Sequence, residues 1–406
     1  MNIDAMNIAE KNLLVLNSGS SSIKFALFTE GASLHLKLKG QIERIGTSDA
    51  VLTTQAFERE SHAIQSVAAL DFASAFNVLI NWIDKKQIAD TLIAVGHRIV
   101  HGGANLHEPR RLTPAIVTEL KQLTPLARQH MPNEVALVEA FQQRFPQLPH
   151  IACFDTAFHH NLPRIAQLLA IPRKYAEKGV RRYGFHGLSY EFLMSELIKL
   201  DAAAANRERI ILAHLGNGAS LAAIANGKPI DTSMGFTPTA GVVMGTRSGD
   251  LDPGLFSYLA RSEQMDAQQF DDMVNFKSGL LGISETSADM RDLLAIEAKD
   301  PRAADAVALF CYQVKKTVGA YAAALGGLDT LVFSGGIGEQ APLVRARICS
   351  DLGFLGIELD AARNTQNANR ISTDASRVTV HVIATDEALV IARSVCRVLN
   401  ISATSL

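Results

Sequence analysis

Short apolar runs separated by small polar turns open the chain. Residues 13–16 and 23–28 read as two strands, joined by residues 17–22, which are too small and polar to belong to either. In that turn Gly19 supplies backbone freedom, serine hydroxyls and N–H groups can face an anion, and Lys24 adds a nearby positive charge. The same order of strand, small-residue turn and strand recurs at 209–226. Either copy alone is equally an ordinary hairpin whose serines satisfy a turn. Two copies suit a polyphosphate held from two sides.

Alternation continues at 35–42 and 51–57, which predicts further strands of an antiparallel or mixed sheet. Helical spacing appears at 71–86, where Phe72, Phe76, Leu79 and Ile83 form one stripe and Asp71 is placed to cap it. A strand at 91–96, helices at 114–123 and 133–144 and a strand at 150–154 complete the first half. That last strand ends at Asp155, and open sheets place ligand-facing groups at strand carboxyl ends. The second half repeats the order. Hairpins over 209–231 lead into a loop rich in Gly, Thr and Met at 232–254, followed by helices at 253–260, 267–276 and 303–325. A strand at 330–333 opens into Ser334-Gly-Gly-Ile-Gly-Glu339 ahead of a helix near Pro342, an arrangement that presents N–H groups to phosphate or ribose. A strand at 378–383 and a helix at 386–399 close the pattern, which predicts a duplicated α/β domain with a cleft between the copies.

Composition narrows the partners. At 406 residues two domains are the default. A net charge of −2 gives no global attraction for nucleic acid or an anionic membrane, so any anion needs a local site and the expected partner is small. Cys153, Cys311, Cys349 and Cys396 lie far apart in apolar contexts, which suggests buried reduced thiols and a cytoplasmic protein. No apolar run approaches a membrane span, and residues 1–11 do not resemble a signal peptide.

Single signals here are weak, and their combination is specific. Arg98, Arg247 and Lys24 each sit beside a turn rich in glycine or hydroxyls, which suits a charge clamp on phosphoryl oxygens. Asp155 and Glu387, each just past an apolar strand, are candidates for proton or Mg2+ duties. Phosphoryl transfer needs this inventory, because its catalysis is mostly positioning and charge neutralisation. His97 and His101 are four apart, but Gly102-Gly103 argues against a helical metal face.

Seven motifs in register closely resemble the acetate kinase family: Asn17-Ser-Gly-Ser-Ser-Ser-Ile-Lys24, Gly96-His-Arg-Ile-Val-His-Gly-Gly103, Arg181-Arg-Tyr-Gly-Phe-His-Gly187, His214-Leu-Gly-Asn-Gly-Ala-Ser220, Asp231-Thr-Ser-Met-Gly-Phe-Thr-Pro238, Met244-Gly-Thr-Arg-Ser-Gly-Asp250 and Gly335-Gly-Ile-Gly-Glu339. The resemblance spans about 13–393. It implies the fold of the acetate and sugar kinase, heat-shock chaperone and actin superfamily: two ribonuclease H-like domains, a nucleotide in the interdomain cleft and usually a homodimer. The expected division is 1–155 plus about 388–406, and 156–387. The implied activity is reversible, Mg2+-dependent transfer of phosphoryl from ATP to acetate, giving acetyl phosphate and ADP by direct in-line displacement, with Mn2+ as a substitute metal. By motif, Asn17 and Glu387 would help hold the metal and Lys24 would lie near the nucleotide phosphates. Arg98 and Arg247 would bracket the carboxylate and the phosphoryl group, His186 would donate to the same charge, Asp155 is the proposed catalytic carboxylate, and His130 matches the phosphate-contacting histidine. Because the substrate carboxylate is already ionised, positioning or metal-water organisation suits Asp155 better than proton abstraction. His214, Leu215, Gly216, Asn217 and Gly218, together with Gly336, Ile337, Gly338, Glu339 and Gln340, would cradle phosphates and ribose. Asp289, Met290 and Arg291 would flank the adenine, and Val100, Phe185 and Pro238 would wall a small acyl pocket.

Several positions depart from the family pattern. Residues 124–132 carry three extra residues before His130, and Gln129 stands where an apolar residue is usual. Leu188-Ser189-Tyr190 replaces Thr-Ser-His, Thr239-Ala240 replaces Leu-Glu, and Ala384-Thr-Asp-Glu-Ala388 replaces Pro-Thr-Asn-Glu-Glu. Of these, Asp386 and Ala388 bear most directly on metal affinity. Two rival functions are weighed against the kinase. A nucleotide-driven switch would not need an arginine-lined apolar pocket, and a sugar kinase would need an array of Asp, Asn and Glu to read hydroxyls. Propionate is the alternative substrate, and the β-branched Val100 tilts the expectation to acetate.

Overall fold

Residues 10–19, 21–31, 33–57, 61–200 and 209–401 are described by a computed structural model; Ser20 of the first turn and residues 1–9 lie outside them. The chain divides into two compact units, Met1–Ala157 with Asp386–Leu406, and Phe158–Thr385.

In the first unit, apolar alternation and tight turns build an antiparallel meander: β1 (Asn12–Ser18), β2 (Ile23–Thr29), β3 (His35–Glu43), β4 (Val51–Ala56) and β5 (Ser61–Ser66). Parallel partners β6 (Leu92–Ile99) and β8 (His150–Phe154) extend it past β1, and β7 (Arg110–Arg111) forms the far edge, giving the order β5-β4-β3-β2-β1-β6-β8-β7. The strand β5 escapes prediction because it is largely solvent-exposed, so no apolar alternation marks it. Strands β1, β6 and β8 are nearly continuous apolar runs because helices cover both faces. Leu14, Leu16 and Val95 join a core with Phe76, Leu79 and Ile83 of the helix Phe72–Lys85 and with Phe141 of the helix Met131–Arg144. Asp71 caps the first of these helices through a capping box with Ser74.

On the opposite face Gly96 lets the helix Glu387–Leu399 approach closely. A Cβ at Gly96 would lie 2.6 Å from Ile391 Cγ2 and 2.9 Å from Val395 Cγ2. Those atoms belong to stiff β-branched side chains, so the helix itself must move to admit a methyl. Gly96→Ala is therefore expected to destabilise the unit by about 1–3 kcal/mol, read as a lower urea midpoint; an unchanged midpoint would show that the helix is free to slide.

The second unit holds a five-stranded sheet in the order β11-β10-β9-β12-β13, with β9 (Arg209–Leu215), β10 (Ala219–Ala225), β11 (Lys228–Thr232), β12 (Thr330–Ser334) and β13 (Thr379–Val382). Strands β9, β12 and β13 are parallel, and β10 and β11 continue as an antiparallel hairpin edge. The helix Pro301–Leu325 packs on this sheet, starting at the cap Asp300 and ending at Gly326 in left-handed conformation. Two helices go beyond the predicted elements. The stretch after His186 is a helix, Gly187–Leu200, and the glycine turn after β12 is itself a single short helix, Gly335–Gln340, entered through Gly335 at φ +74°. Among the described residues no helix is long and apolar enough to cross a membrane.

Candidate active site

In the first unit the sheet register gathers the predicted polar residues. Asn17 at the end of β1 lies directly opposite Lys24 on β2, so both side chains leave the same face of the pair. One strand over, β6 delivers Arg98, and Asp155 follows β8 with its N–H bonded to the Ile99 carbonyl. The helix Glu387–Leu399, seated over Gly96, brings Glu387 to the same strand ends.

Arg98 is the hub. Its Nε donates to Asp155 Oδ1 at 3.1 Å, its Nη2 to Asp155 Oδ2, and its Nη1 to Asn17 Oδ1 at 3.2 Å. Glu134 Oε1 stands 3.8 Å from Nη1 and Glu387 Oε2 stands 4.0 Å from Nε, while Asn17 Nδ2 donates to Glu387 at 3.4 Å. Burial alone would lower the guanidinium pKa, but Asp155, Glu387 and Glu134 together raise it, so Arg98 stays charged. Lys24 is exposed on its strand and joins none of these bonds in the described set.

Glu134 is absent from the sequence reading. It projects from the first turn of the helix Met131–Arg144, is fully buried, and accepts the Val100 N–H on Oε2 at 2.9 Å. Its Oε1 has no hydrogen-bond partner among the described residues. Burial pushes its pKa up to about 8, against the pull of Arg98 and the Val100 N–H. His130 precedes the same helix by one residue and is buried four positions before Glu134, and Gln129 is half-buried beside it. Val100, the predicted acyl wall, is buried and pinned by Glu134.

The second unit gathers the other predicted groups around the β9–β10 turn. Gly216 N–H bonds the Gly218 carbonyl at 2.9 Å, and Gly245 N–H bonds the Asn217 carbonyl at 2.9 Å. A Cβ at Gly335 would meet the Leu215 carbonyl oxygen at 2.7 Å, and one at Gly245 would meet Asn217 Oδ1 at 2.0 Å, so three loops close to backbone contact that side chains would forbid. Gly336 and Gln340 are exposed on the short helix Gly335–Gln340, with Ile337 half-buried and Gly338 buried. Glu339 turns inward, its Oε1 accepting the Gly335 N–H at 2.9 Å and the Thr385 N–H at 3.2 Å.

His186 and Arg247 flank the turn. A Cβ on Gly218 would lie 3.3 Å from His186 Nε2 and 3.7 Å from Arg247 Nη1. The Arg247 Nη1 donates to the Pro238 carbonyl at 2.9 Å and contacts Met244 Sδ at 3.6 Å. His186 has φ +58°, rare for a residue with a side chain, and its ring stacks on His214 with centroids 4.3 Å apart. His214 Nδ1 bonds Ser189 Oγ at 2.8 Å, and Ser189 bonds Thr385 Oγ1 at 2.9 Å. Phe185 and Pro238 are buried, and the Phe185 carbonyl is bonded by His159 Nε2 at 3.0 Å. Burial drives the His159 pKa down to about 4, so it binds as a neutral ring. Asp289 caps the helix Met290–Ile296, and the exposed Arg291 folds back onto its carboxylate at 2.6 Å; Met290 is buried behind them.

Three comparisons fit this geometry. The profile of the Acetokinase family matches residues 12–393. The chain is 46% identical over 392 residues to an acetate kinase of Rhodopseudomonas palustris, covering 95% of this chain and 98% of that protein. Among solved structures it is similar to a propionate kinase from Francisella tularensis (TM-score 0.88, 35% identity, 95% of this chain and 98% of that one). It is likewise similar to Porphyromonas gingivalis acetate kinase (TM-score 0.84, 36% identity, 96% and 100%). The two-sheet α/β architecture is that of the actin-like ATPase fold. With one profile spanning nearly all of it and these relatives aligned end to end, the chain belongs to the acetokinase family.

Proposed function

We propose that the chain catalyses reversible transfer of the γ-phosphoryl group of ATP to acetate, yielding acetyl phosphate and ADP. It is a phosphotransferase with a carboxyl group as acceptor, and its substrates are small molecules. The observation that carries the site assignment is the Arg98 cluster, a guanidinium only 12% exposed and held by Asp155 and Asn17 at the strand ends. In direct transfer an acetate oxygen attacks the γ-phosphorus as the bond to the ADP oxygen breaks, and the protein neutralises charge on the group in flight. Arg98 and Arg247 supply that neutralisation, His186 donates to it, and Asp155 fixes Arg98 with both oxygens. Lys24 and the glycine turns at 214–218 and 336–340 bind the nucleotide phosphates and ribose, while Asp289, Met290 and Arg291 lie by the base. His130 contacts phosphate.

Asn17 and Glu387 are the residues we assign to Mg2+ or its substitute Mn2+. The donor set fits, since both offer hard oxygens. Among the described residues no group of three or more His, Cys, Asp or Glu forms a cage, and Mg2+ takes one or two protein oxygens with water and phosphate completing the shell. When bound, the metal neutralises phosphate charge. The four buried free cysteines support a cytoplasmic setting, and the family resemblance supports a homodimer.

Acyl selectivity is set by Val100, Phe185 and Pro238. The family resemblance assigns these three to the acyl site, each is buried within its own unit, and Val100 branches at Cβ. One methylene in an apolar pocket is worth about 1–3 kcal/mol, so propionate is expected as a slower second substrate. Specificity constants from ADP release with acetate, propionate and butyrate test the reading: acetate should lead and butyrate trail. A preference for butyrate overturns the pocket, and ATP turnover independent of any short acid overturns the function.

A further inference from the structure

The helix Gly187–Leu200 carries Tyr190, fully buried, where the family resemblance leads one to expect histidine. Its hydroxyl lies 2.5 Å from Ser220 Oγ, and Ser220 Oγ lies 2.8 Å from His186 Nδ1. Ser220 itself is fully buried on β10. This is a linear chain of three groups that ends on the ring facing Gly218 and Arg247.

We propose that Tyr190 is a positioning residue that acts through Ser220 to hold neutral His186 as the Nε2–H tautomer, so that Nε2 donates toward the phosphoryl group.

The sense of the chain follows from counting protons. Ser220 has one hydroxyl hydrogen and two neighbours, so it donates to one and accepts from the other. If His186 Nδ1–H donated to Ser220, Ser220 would donate to the Tyr190 oxygen, and the phenol hydrogen would need another acceptor. The His214 backbone holds the phenol pKa down, as a donor does, and so does not take that hydrogen. Among the described residues that arrangement leaves the buried O–H unmet, a costly state. In the reverse sense every group is satisfied: the phenol donates to Ser220, Ser220 donates to Nδ1, and the ring proton sits on Nε2. Burial raises the Tyr190 pKa, so the phenol keeps the proton it donates. The left-handed backbone at His186 and the stacked His214 ring hold the imidazole for this bond. A histidine at position 190 would present a ring nitrogen in place of a hydroxyl, and the sense of the chain would then depend on its own tautomer.

The proposal rests on the reading that His186 faces the transferred group, and the test separates the two. The full-length protein labelled with 15N-histidine is examined by long-range 1H–15N correlation at neutral pH, with His186 assigned from the signals lost in His186→Asn. Wild type should show a protonated Nε2 and an unprotonated Nδ1. Tyr190→Phe removes one oxygen and should give a mixed or reversed tautomer with an unchanged melting temperature; Ser220→Ala breaks the chain at its middle and should alter the tautomer likewise, with a lower melting temperature because the buried phenol loses its acceptor. Turnover in Tyr190→Phe should fall roughly tenfold or more, with the ATP KM within about twofold, as when the partner that fixes a histidine's tautomer is lost. A protonated Nδ1 in wild type, or an unaltered tautomer in both variants, overturns the relay. An altered tautomer with unaltered turnover upholds the relay and removes His186 from the reaction.

Discussion

Arg98→Ala should lower the specificity constant for both substrates by a factor on the order of 10² or more, the loss expected when a transition-state donor is removed. Arg98→Lys should recover little, because an ammonium cannot reproduce the fork that meets both Asp155 oxygens and Asn17 at once. The substitution has a second effect. Asp155 and Glu134 are fully buried and Glu387 stands nearby, so deleting the guanidinium leaves carboxylates facing each other without a counter-charge. Breaking one partner of a buried pair costs about 3–5 kcal/mol, and the melting temperature should fall with the activity. A double substitution separates these effects. Arg98→Met with Asp155→Asn removes the tightest pair, and because neutral replacement of a whole buried pair is often tolerated, stability should return in part, Glu134 and Glu387 remaining, while turnover does not. Recovery of turnover in that double variant, or near-normal kinetics in Arg98→Ala, would remove Arg98 from the proposed clamp.

The groups of this cluster differ in how openly the sequence displays them. Arg98, Asp155 and Glu387 sit at the ends of apolar runs, where strand geometry points at a ligand, and Asn17 with Lys24 lies in a turn of unusual composition. Glu134 stands inside a helix whose sequence, Met-Pro-Asn-Glu-Val-Ala-Leu-Val, looks like an ordinary surface turn. The signal was its spacing. Glu134, Val138 and Phe141 share one helical face, the buried one, so the carboxylate occupies an apolar stripe. The same logic misses Tyr190 and Ser220. A tyrosine and a serine on buried faces read as packing, and only three-dimensional proximity across a helix and a strand links them to His186. Elements followed suit. Helices at 114–123 and 267–276 match their predicted limits because proline, capping residues and apolar stripes agree. The helix Gly187–Leu200 buries Leu188, Phe192, Leu193 and Leu197, but it starts at Gly187 with no capping residue to announce it.

Arg345 is the other hidden charge, and its loss should lower stability as much as the loss of Arg98. It lies in the helix Pro342–Cys349 on the face shared with Ile348 and Cys349, and it has no solvent exposure. All five guanidinium N–H groups are engaged without a carboxylate. Nε donates to Asn364 Oδ1 at 2.8 Å, Nη1 to the Gly338 and Glu339 carbonyls at 2.8 and 3.0 Å, and Nη2 to the Asn364 carbonyl at 2.7 Å and Asn367 Oδ1 at 2.6 Å. Burial lowers its pKa to about 10, which still leaves it charged at neutral pH. The residue therefore ties the short helix Gly335–Gln340, proposed to hold the nucleotide, to the helix Ala361–Thr365 behind it. Arg345→Met keeps the volume and leaves buried carbonyls unmet, at roughly 3–5 kcal/mol in total. For a unit of this size that is a fall of roughly 10 °C or more in melting temperature. Ligand linkage supplies a second readout. ATP raises the melting temperature of a protein that binds it only when folded, and in Arg345→Met that increment should shrink while the KM for acetate stays near its wild-type value. Arg345→Lys should resemble Met more than wild type, since three donors on a flexible stem cannot meet five acceptors. An unchanged melting temperature would mean that water replaces the guanidinium without loss, and an unchanged ATP increment would detach the glycine turn from nucleotide binding.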